Sequence, residues 1–179
     1  MDPPIPIRPA VPADYQALCA LWEALDEHHR RVRPDLFRAP EGPRRELAWV
    51  QSLIDDPDSD ILVADAGCGR LSGLAVVQLE TPPEVPFRIQ HPFVQIHNLV
   101  VAAADRRRGV GAALINACAD WSRARGIEVV ELKMLEFNQG ARRFYEAMGF
   151  VTARRWMSLN LDHPSPPTLA GLGVEESPC

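Results

Sequence analysis

Residues 93–112 of the chain read FVQIHNLVVAAADRRRGVGA. The apolar first half predicts a β-strand over residues 93–102, and the second half predicts a helix that begins at Gly109. The two glycines let the backbone approach a ligand closely, and the first-turn N–H groups of a helix lack helical acceptors. With the helix dipole and three arginines, this pattern is typical of a phosphate cradle. The alternative is that the glycines only permit a tight turn and the arginines are a solvated charge run.

A second informative stretch, residues 138–150, reads NQGARRFYEAMGF. On a helix, Asn138, Ala141 and Tyr145 fall at spacings of three and four residues, so they share one face. Taken alone, the stretch also fits a plain amphipathic helix that ends at a glycine, with the tyrosine half-buried as packing.

Hydrophobic periodicity and turn signals divide the rest of the chain into short elements. Gly67-Cys68-Gly69 predicts a hairpin, and residues 93–135 predict a strand, a helix and a parallel strand joined by a crossover. We expect an α/β (α+β) chain with strands over 5–9, 61–64, 71–79, 93–102, 127–135 and 150–161, and helices over 15–30, 42–54, 109–125 and 138–148.

Length and composition indicate one globular domain. The chain has 179 residues, of which 46% are apolar, and this is sufficient for one hydrophobic core. We expect a single domain over residues 1–161 and a flexible tail over residues 162–179, where apolar residues become sparse. Charged residues interrupt every apolar run well before the roughly 20 residues of a membrane span, so no membrane partner is expected.

The distribution of charge favours a local anion site over a nucleic-acid surface. The formal net charge of the chain is -5, whereas residues 93–163 carry ten basic and seven acidic side chains. Because nucleic acid needs a broad basic surface, no nucleic-acid partner is expected. The cysteines lack metal-ligand spacing, so no metal is expected, and the N-terminus lacks a secretory signal, which predicts a cytoplasmic location.

Together, in this order and at this spacing, the two stretches resemble the motifs of the GNAT superfamily, the GCN5-related N-acetyltransferases. Arg106, Gly109 and Gly111 match the phosphate-binding pattern R/Q-x-x-G-x-G/A of that family. Residues 138–150 match its later pattern, N-x-x-A-x-x-F-Y-E-x-x-G-F, without a gap. Residues 96–101, IHNLVV, stand where many members read IEDLYV.

The resemblance covers residues 5–161 and implies both a fold and an activity. The fold is the GNAT fold, with a mixed central sheet of about six to seven strands, flanking helices, and fourth and fifth strands that splay apart. The activity is transfer of the acetyl group of acetyl-CoA directly to a primary amine of a small molecule or protein. The alternative is a non-catalytic acetyl-CoA-binding regulatory module.

By the same resemblance, acetyl-CoA lies in the gap between the fourth and fifth strands. Backbone groups of Leu99 and Val101 would pair with the pantetheine arm, and the backbone N–H near Val100 would polarise the thioester carbonyl. The pyrophosphate would be held by backbone N–H groups of Arg107, Arg108, Gly109, Val110, Gly111 and Ala112.

Three further side chains are implied at the outer part of the cofactor. Asn138 would contact acetyl-CoA where it leaves the gap, and Arg106 or Arg142 would meet the outer phosphate.

The implied reaction needs two proton transfers. An amine near the lysine reference pKa of about 10.4 is protonated at neutral pH, so a base or a chain of waters must take its proton. His97 is the candidate base, because it stands where relatives often carry Glu; the alternative is that it only shapes the pocket. Tyr145 matches the position that protonates the departing CoA thiolate; the alternative is that it only orients the sulfur.

Acceptor choice is implied to depend on the connection between the first two helices. His28, His29 and Phe37 are the candidate contacts, although histidines near a helix C-terminus often only complement its dipole. The acidic balance of residues 1–92 favours a cationic amine. Many relatives dimerise through their C-terminal strands, so the resemblance also allows a homodimer.

Overall fold

A mixed β-sheet with helices on both faces forms the frame of the protein. The computed structural model describes residues 5–39, 45–87, 89 and 91–157. Five strands in this part of the chain lie side by side in sequence order: β1 (Ile7–Pro9), β2 (Ser59–Asp65), β3 (Leu71–Glu80), β4 (Phe93–Val101) and β5 (Val130–Leu132). The described helices are α1 (Tyr15–Val32), α2 (Leu47–Asp55), α3 (Val110–Arg123) and α4 (Gln139–Ala147).

The first four strands are antiparallel neighbours, and β5 runs parallel to β4. A parallel pair needs a long connection, which α3 supplies between β4 and β5. The turn between β2 and β3 carries positive φ angles at Gly67, Cys68 and Gly69. The hairpin, the parallel connection and the α/β class predicted from the sequence are therefore confirmed.

Alternating side chains on the strands build a separate core on each face of the sheet. On β2, Ile61 and Val63 belong to a core cluster with Leu18 and Trp22 of α1, whereas Leu62 and Ala64 point to the opposite face. The second cluster includes Leu114, Cys118 and Trp121 of α3. The sheet is therefore covered by α1 and α2 on one face and by α3 on the other.

The pairing between β4 and β5 is short, and the gap that follows it is the location of the candidate site. Only three pairs are formed, Val94 with Val130, Gln95 with Glu131 and Ile96 with Leu132, although β4 continues to Val101. The two strands separate immediately after Ile96, as the predicted splay of the fourth and fifth strands requires. The second half of β4 therefore borders a gap between the strands.

The predicted elements differ most from the structure at β5, at the start of α2 and after Phe150. β5 covers only 130–132 rather than 127–135, because the strands diverge. α2 begins at Leu47 rather than near residue 42, since Glu46 is extended (ψ 145°) and residues 40–44 lie outside the described residues. Residues 150–157 form no strand, with Trp156 90% exposed, and 158–161 lie outside the described part.

The sheet consequently has five strands among the described residues, slightly fewer than the six to seven expected. The tail predicted over residues 162–179 lies outside the part of the chain that the structure describes. None of the helices within the described ranges is long and apolar enough to cross a membrane.

Candidate active site

The N-terminus of α3 lies at the mouth of the gap beside β4. Gly109 caps the helix with φ +85°, a left-handed conformation that glycine adopts without steric cost. The first backbone hydrogen bond of the helix runs from Ala113 N to Gly109 O, at 3.0 Å. The preceding amides, those of Val110, Gly111 and Ala112, therefore have no acceptor within the helix and are available to an anion.

Gly111 has a packing role that the sequence did not indicate. A Cβ at this position would lie 3.1 Å from Phe144 Cζ of α4 and 3.7 Å from Val101 Cγ2 of β4. Absence of a side chain thus lets α4 pack against the first turn of α3. This contact brings the helix that carries Tyr145 next to the candidate phosphate cradle.

The arginines that precede α3 are held in defined directions. Arg106 Nε donates to the carbonyl oxygen of Val101 at 3.3 Å, so this side chain bends back over the end of β4. Arg108 Nη1 lies 3.3 Å from Asp105 Oδ1, and Arg70 Nη1 lies 2.5 Å from Asp105 Oδ2. Asp105 is 5% exposed and ties the loop to the β2–β3 hairpin. Neither Asp105 nor Arg70 was predicted as part of the site.

Backbone strain accompanies this anchoring. Arg107 has φ +62°, which is uncommon for a residue other than glycine. Strained backbone of this kind clusters at ligand-binding loops, where surrounding contacts maintain it. Here the paired Asp105 and the left-handed Gly109 flank the strained residue.

His97 lies at the point where β4 departs from β5. The β3–β4 register passes from Val77–Ile96 to Val76–Asn98, so His97 is the additional residue of a β-bulge. Its Nε2 lies 3.7 Å from Glu80 Oε1. Partial burial lowers the pKa of the imidazole, Glu80 opposes this effect, and Lys133 adds to it. The neutral form of His97 therefore predominates at neutral pH.

A hydrogen-bond chain holds the bulge from the side of α1. Trp22 Nε1 donates to Asn98 Oδ1 at 3.1 Å, and Asn98 Nδ2 donates to the carbonyl oxygen of His97 at 2.9 Å. Trp22 itself is completely buried. The first helix is thereby connected to the backbone of the candidate base.

The Trp22–Asn98 hydrogen bond gives a stability prediction. Trp22→Phe keeps an aromatic ring but removes the donor and leaves a small cavity, so we expect the free energy of unfolding to fall by about 2 kcal/mol. Urea denaturation measures this value. Trp49→Phe is the matched control, because Trp49 is 40% exposed and its substitution should cost less than about 0.5 kcal/mol. Equal losses in both variants would contradict a specific role for the Trp22 hydrogen bond.

Tyr145 lies on α4 among apolar neighbours. Its ring centroid is 5.4 Å from that of Phe144 and 5.8 Å from that of Phe150. Burial raises the pKa of the phenol, and the nearby Cys118 thiol adds to the increase. The hydroxyl therefore keeps its proton at neutral pH, as a proton donor must.

Asn138 and Arg142 have local partners on α4. Asn138 Oδ1 accepts a hydrogen bond from Ala141 N at 3.1 Å and so caps the helix. Arg142 Nε lies 2.9 Å from Glu146 Oε1, and its Nη1 lies 3.6 Å from Glu136 Oε1. Both partners of Arg142 are acidic, so an approaching phosphate would compete with them for the guanidinium group.

The three residues predicted to contact the acceptor lie close together, and Phe137, which was not predicted, joins them. The His29 ring stacks on Phe37 at 5.2 Å between centroids and meets the edge of Phe137 at 6.2 Å. His28 lies 6.4 Å from the same phenylalanine. Burial and the neighbouring His28 lower the pKa of His29, which disfavours the alternative that it serves as a charged partner of the helix dipole.

Phe137 directly precedes Asn138, so this aromatic cluster joins the C-terminal end of α1 to the start of α4. No sequence pattern marked Phe137, because its partners are more than 100 positions away along the chain. The described residues also contain no group of three or more His, Cys, Asp or Glu side chains that could hold a metal ion.

The described geometry combines a gap beside β4, unpaired amides at a helix N-terminus, and ionisable side chains on both sides.

A family model described as "Acetyltransferase (GNAT) family" matches residues 22–150. The chain is 41% identical over 56 residues to an uncharacterized N-acetyltransferase of Methanocaldococcus jannaschii, a match that covers 31% of this chain and 25% of that protein. It is 30% identical over 97 residues to streptothricin acetyltransferase of Streptomyces lavendulae, covering 54% of this chain and 47% of that one.

These matches span about half or less of the length of the two curated relatives.

Solved structures that cover most of this chain have a similar fold. A tetramutant of the BH1408 protein from Bacillus halodurans superimposes with a TM-score of 0.81 at 28% identity, covering 87% of this chain and 99% of that one. An aminoglycoside N-acetyltransferase in complex with CoA shares the fold with a TM-score of 0.64 at 17% identity, covering 87% and 98%. Because the family model matches more than half of the sequence and includes both the β4–α3 segment and α4, the chain belongs to the GNAT family of acetyltransferases.

Proposed function

We propose that the protein transfers the acetyl group of acetyl-CoA directly to a primary amine. The observation that carries this proposal is the position of the unpaired amides of α3 at the open side of β4, next to the helix of Tyr145. Membership of the GNAT family supports acetyl transfer in general, and the choice of donor and of an amine acceptor is the part proposed here.

The residues present fit acetyl-CoA. The gap that begins after Ile96 gives an extended pantetheine arm access to the backbone of Leu99 and Val101. The amides from Arg107 to Ala112 would hold the pyrophosphate, and Asn138 would contact the cofactor where it leaves the gap. The neighbouring Arg106 supplies positive charge for the outer phosphate more readily than Arg142, whose guanidinium group is already paired with Glu146.

In the proposed mechanism, His97 accepts the proton of the substrate amine. The amine nitrogen then bonds to the acetyl carbon, and the carbon–sulfur bond breaks. Tyr145 gives its phenolic proton to the sulfur, the positively charged nitrogen passes its second excess proton to the phenolate and so restores Tyr145, and His97 releases its proton to solvent. A backbone N–H on the open side of β4 near Val100 would stabilise the developing oxyanion, a contribution that preorganised donors make in such reactions.

The acceptor site is proposed on the face of the sheet that α1 covers. His28, His29 and Phe37, with Phe137, form its aromatic wall. The relatives that act on streptothricin and on aminoglycosides are named for polar amine substrates, which makes such compounds the first acceptors to test here.

A thiol-release assay tests the proposed function. The protein is incubated with acetyl-CoA and a panel of polyamines, aminoglycosides, streptothricin and lysine peptides, and free CoA thiol is measured. Amine-dependent release is expected with at least one acceptor class. Tight binding of acetyl-CoA without release from any amine would instead support a regulatory acetyl-CoA binder.

Gly109→Ala tests the phosphate cradle. A side chain at φ +85° costs roughly 1–2 kcal/mol and shifts the first-turn amides, so we expect roughly tenfold weaker binding of acetyl-CoA by calorimetry. Gly126→Ala is the matched control, because Gly126 has φ +71° but lies at the other end of α3. The two variants should lose similar stability, and equal weakening of acetyl-CoA binding in both would contradict the assignment.

A further inference from the structure

We propose that Glu80 is a positioning residue that orients the imidazole of His97 and increases its basicity. This inference rests on the proposed function only in its catalytic consequence, since the electrostatic pairing of the two side chains is measurable without any substrate.

The backbone places the two side chains on the same side of the sheet. Glu80 is the last residue of β3 and pairs with Phe93, the first residue of β4, while His97 occupies the bulge further along β4. Although the two residues are not opposite each other, Glu80 Oε1 comes within 3.7 Å of His97 Nε2. The side chains are 43% and 41% exposed, so an approaching acceptor can reach the imidazole.

The negative charge of Glu80 and its distance from His97 Nε2 determine how it affects the imidazole. A carboxylate beside Nε2 stabilises the protonated imidazole and favours the neutral tautomer that carries its proton on Nε2. The opposite nitrogen, Nδ1, is then left to accept the proton of the amine. Attraction at this distance is modest because solvent reaches both groups.

Other groups around His97 oppose or limit this effect. Lys133, which follows β5, destabilises the imidazolium, and partial burial of the ring does the same. The side chain of Asn98, which donates to the carbonyl oxygen of His97 and accepts from Trp22 of α1, is uncharged. Glu80 is therefore the charge that partly offsets burial and Lys133 at the candidate base, where the pKa of His97 remains lowered.

The last pair of the β3–β4 ladder, Glu80 with Phe93, fixes the backbone of Glu80. The Trp22–Asn98 pair holds the backbone of His97, and Glu80 acts on its ring.

A titration of the histidines by NMR tests the pairing directly. The chain has five histidines, and the signal of His97 is assigned by its loss in His97→Ala. We expect Glu80→Gln to lower the pKa of His97 by about half a pH unit. We expect Lys133→Gln to raise it by a smaller amount, and the pKa in the double variant to lie between those of Glu80→Gln and the wild type. A His97 pKa that does not change in Glu80→Gln would overturn the inference.

Kinetics with the acceptor that the thiol assay identifies as fastest then test the catalytic consequence. In Glu80→Gln, the acidic limb of kcat/KM should move to lower pH together with the NMR pKa, and Glu80→Asp should restore part of the shift. A change in KM alone, with the limb unmoved, would make Glu80 an acceptor contact and contradict the positioning role. If the limb persists in His97→Ala, the proposed base fails, whereas a limb that depends on His97 but not on Glu80 refutes only this inference.

Discussion

Replacing Tyr145 with phenylalanine is expected to lower turnover roughly 100-fold while the affinity for acetyl-CoA stays unchanged. The substitution keeps the ring that packs between Phe144 and Phe150 and removes only the hydroxyl. Because burial raises the pKa of this phenol, it remains protonated across the neutral range and can donate to the departing thiolate. Steady-state turnover and calorimetric binding of acetyl-CoA, measured on the same preparation, separate the two effects.

The only other tyrosine in the chain supplies the control. Tyr15 donates its hydroxyl hydrogen to the carbonyl oxygen of Arg45 at 2.8 Å, on the side of the sheet that α1 covers. Tyr15→Phe should lose about 1 kcal/mol of stability and keep its turnover. Unchanged turnover in Tyr145→Phe would remove the acid role and leave Tyr145 as a packing residue.

The second large effect is expected for His97→Ala, which should lower kcat roughly 100-fold or more near neutral pH. His97 must be neutral to accept a proton, so activity should fall as the pH decreases through its pKa. Burial places that pKa below the ordinary imidazole value, and the wild-type acidic limb should therefore lie below about pH 6.5. The variant should lack this limb, which a pH profile of kcat/KM measures.

His91→Ala is the control for this profile. His91 is exposed on the β3–β4 connection, and the acidic limb should persist after its replacement. A limb that persists at the same pH in His97→Ala would show that another group or ordered water removes the proton. The backbone of the bulge would then be the functional feature at this position.

The parts of the fold that depend on short-range patterns were predictable from the sequence. Gly109 and Gly126 mark the two ends of α3, and Gly67-Cys68-Gly69 marks the hairpin, because each occupies a left-handed conformation with a clear sequence signature. The family assignment, the α/β class and the splay of β4 from β5 are confirmed. The site roles of His97, Tyr145 and the α3 amides stay predictions.

Features that depend on long-range geometry were not predictable. The apolar run after residue 127 indicates a strand. The length of β5, however, depends on how many residues of β4 remain adjacent to it, and neither the β4 nor the β5 sequence shows where the two strands separate. The strand predicted over residues 150–161 is not formed by residues 150–157, the part of it that the structure describes.

The site residues that were not predicted were missed for the same reason, because their contacts depend on long-range geometry. Glu80 approaches His97 from the end of another strand, and Arg70 reaches Asp105 across 35 positions of the chain. Phe137 completes an aromatic cluster with residues of α1. Each of these contacts requires the sheet to be assembled first, so a local pattern could not reveal them.

The most direct test of the central claim is the mass of the acceptor after reaction. The protein is incubated with acetyl-CoA and the amine that gives the fastest thiol release, and the amine is analysed by mass spectrometry. We predict the addition of one acetyl group to the amine nitrogen, in amounts equal to the thiol released and strongly reduced in Tyr145→Phe and His97→Ala. Thiol release without an acetylated amine would mean that water is the acceptor and would contradict direct transfer to an amine.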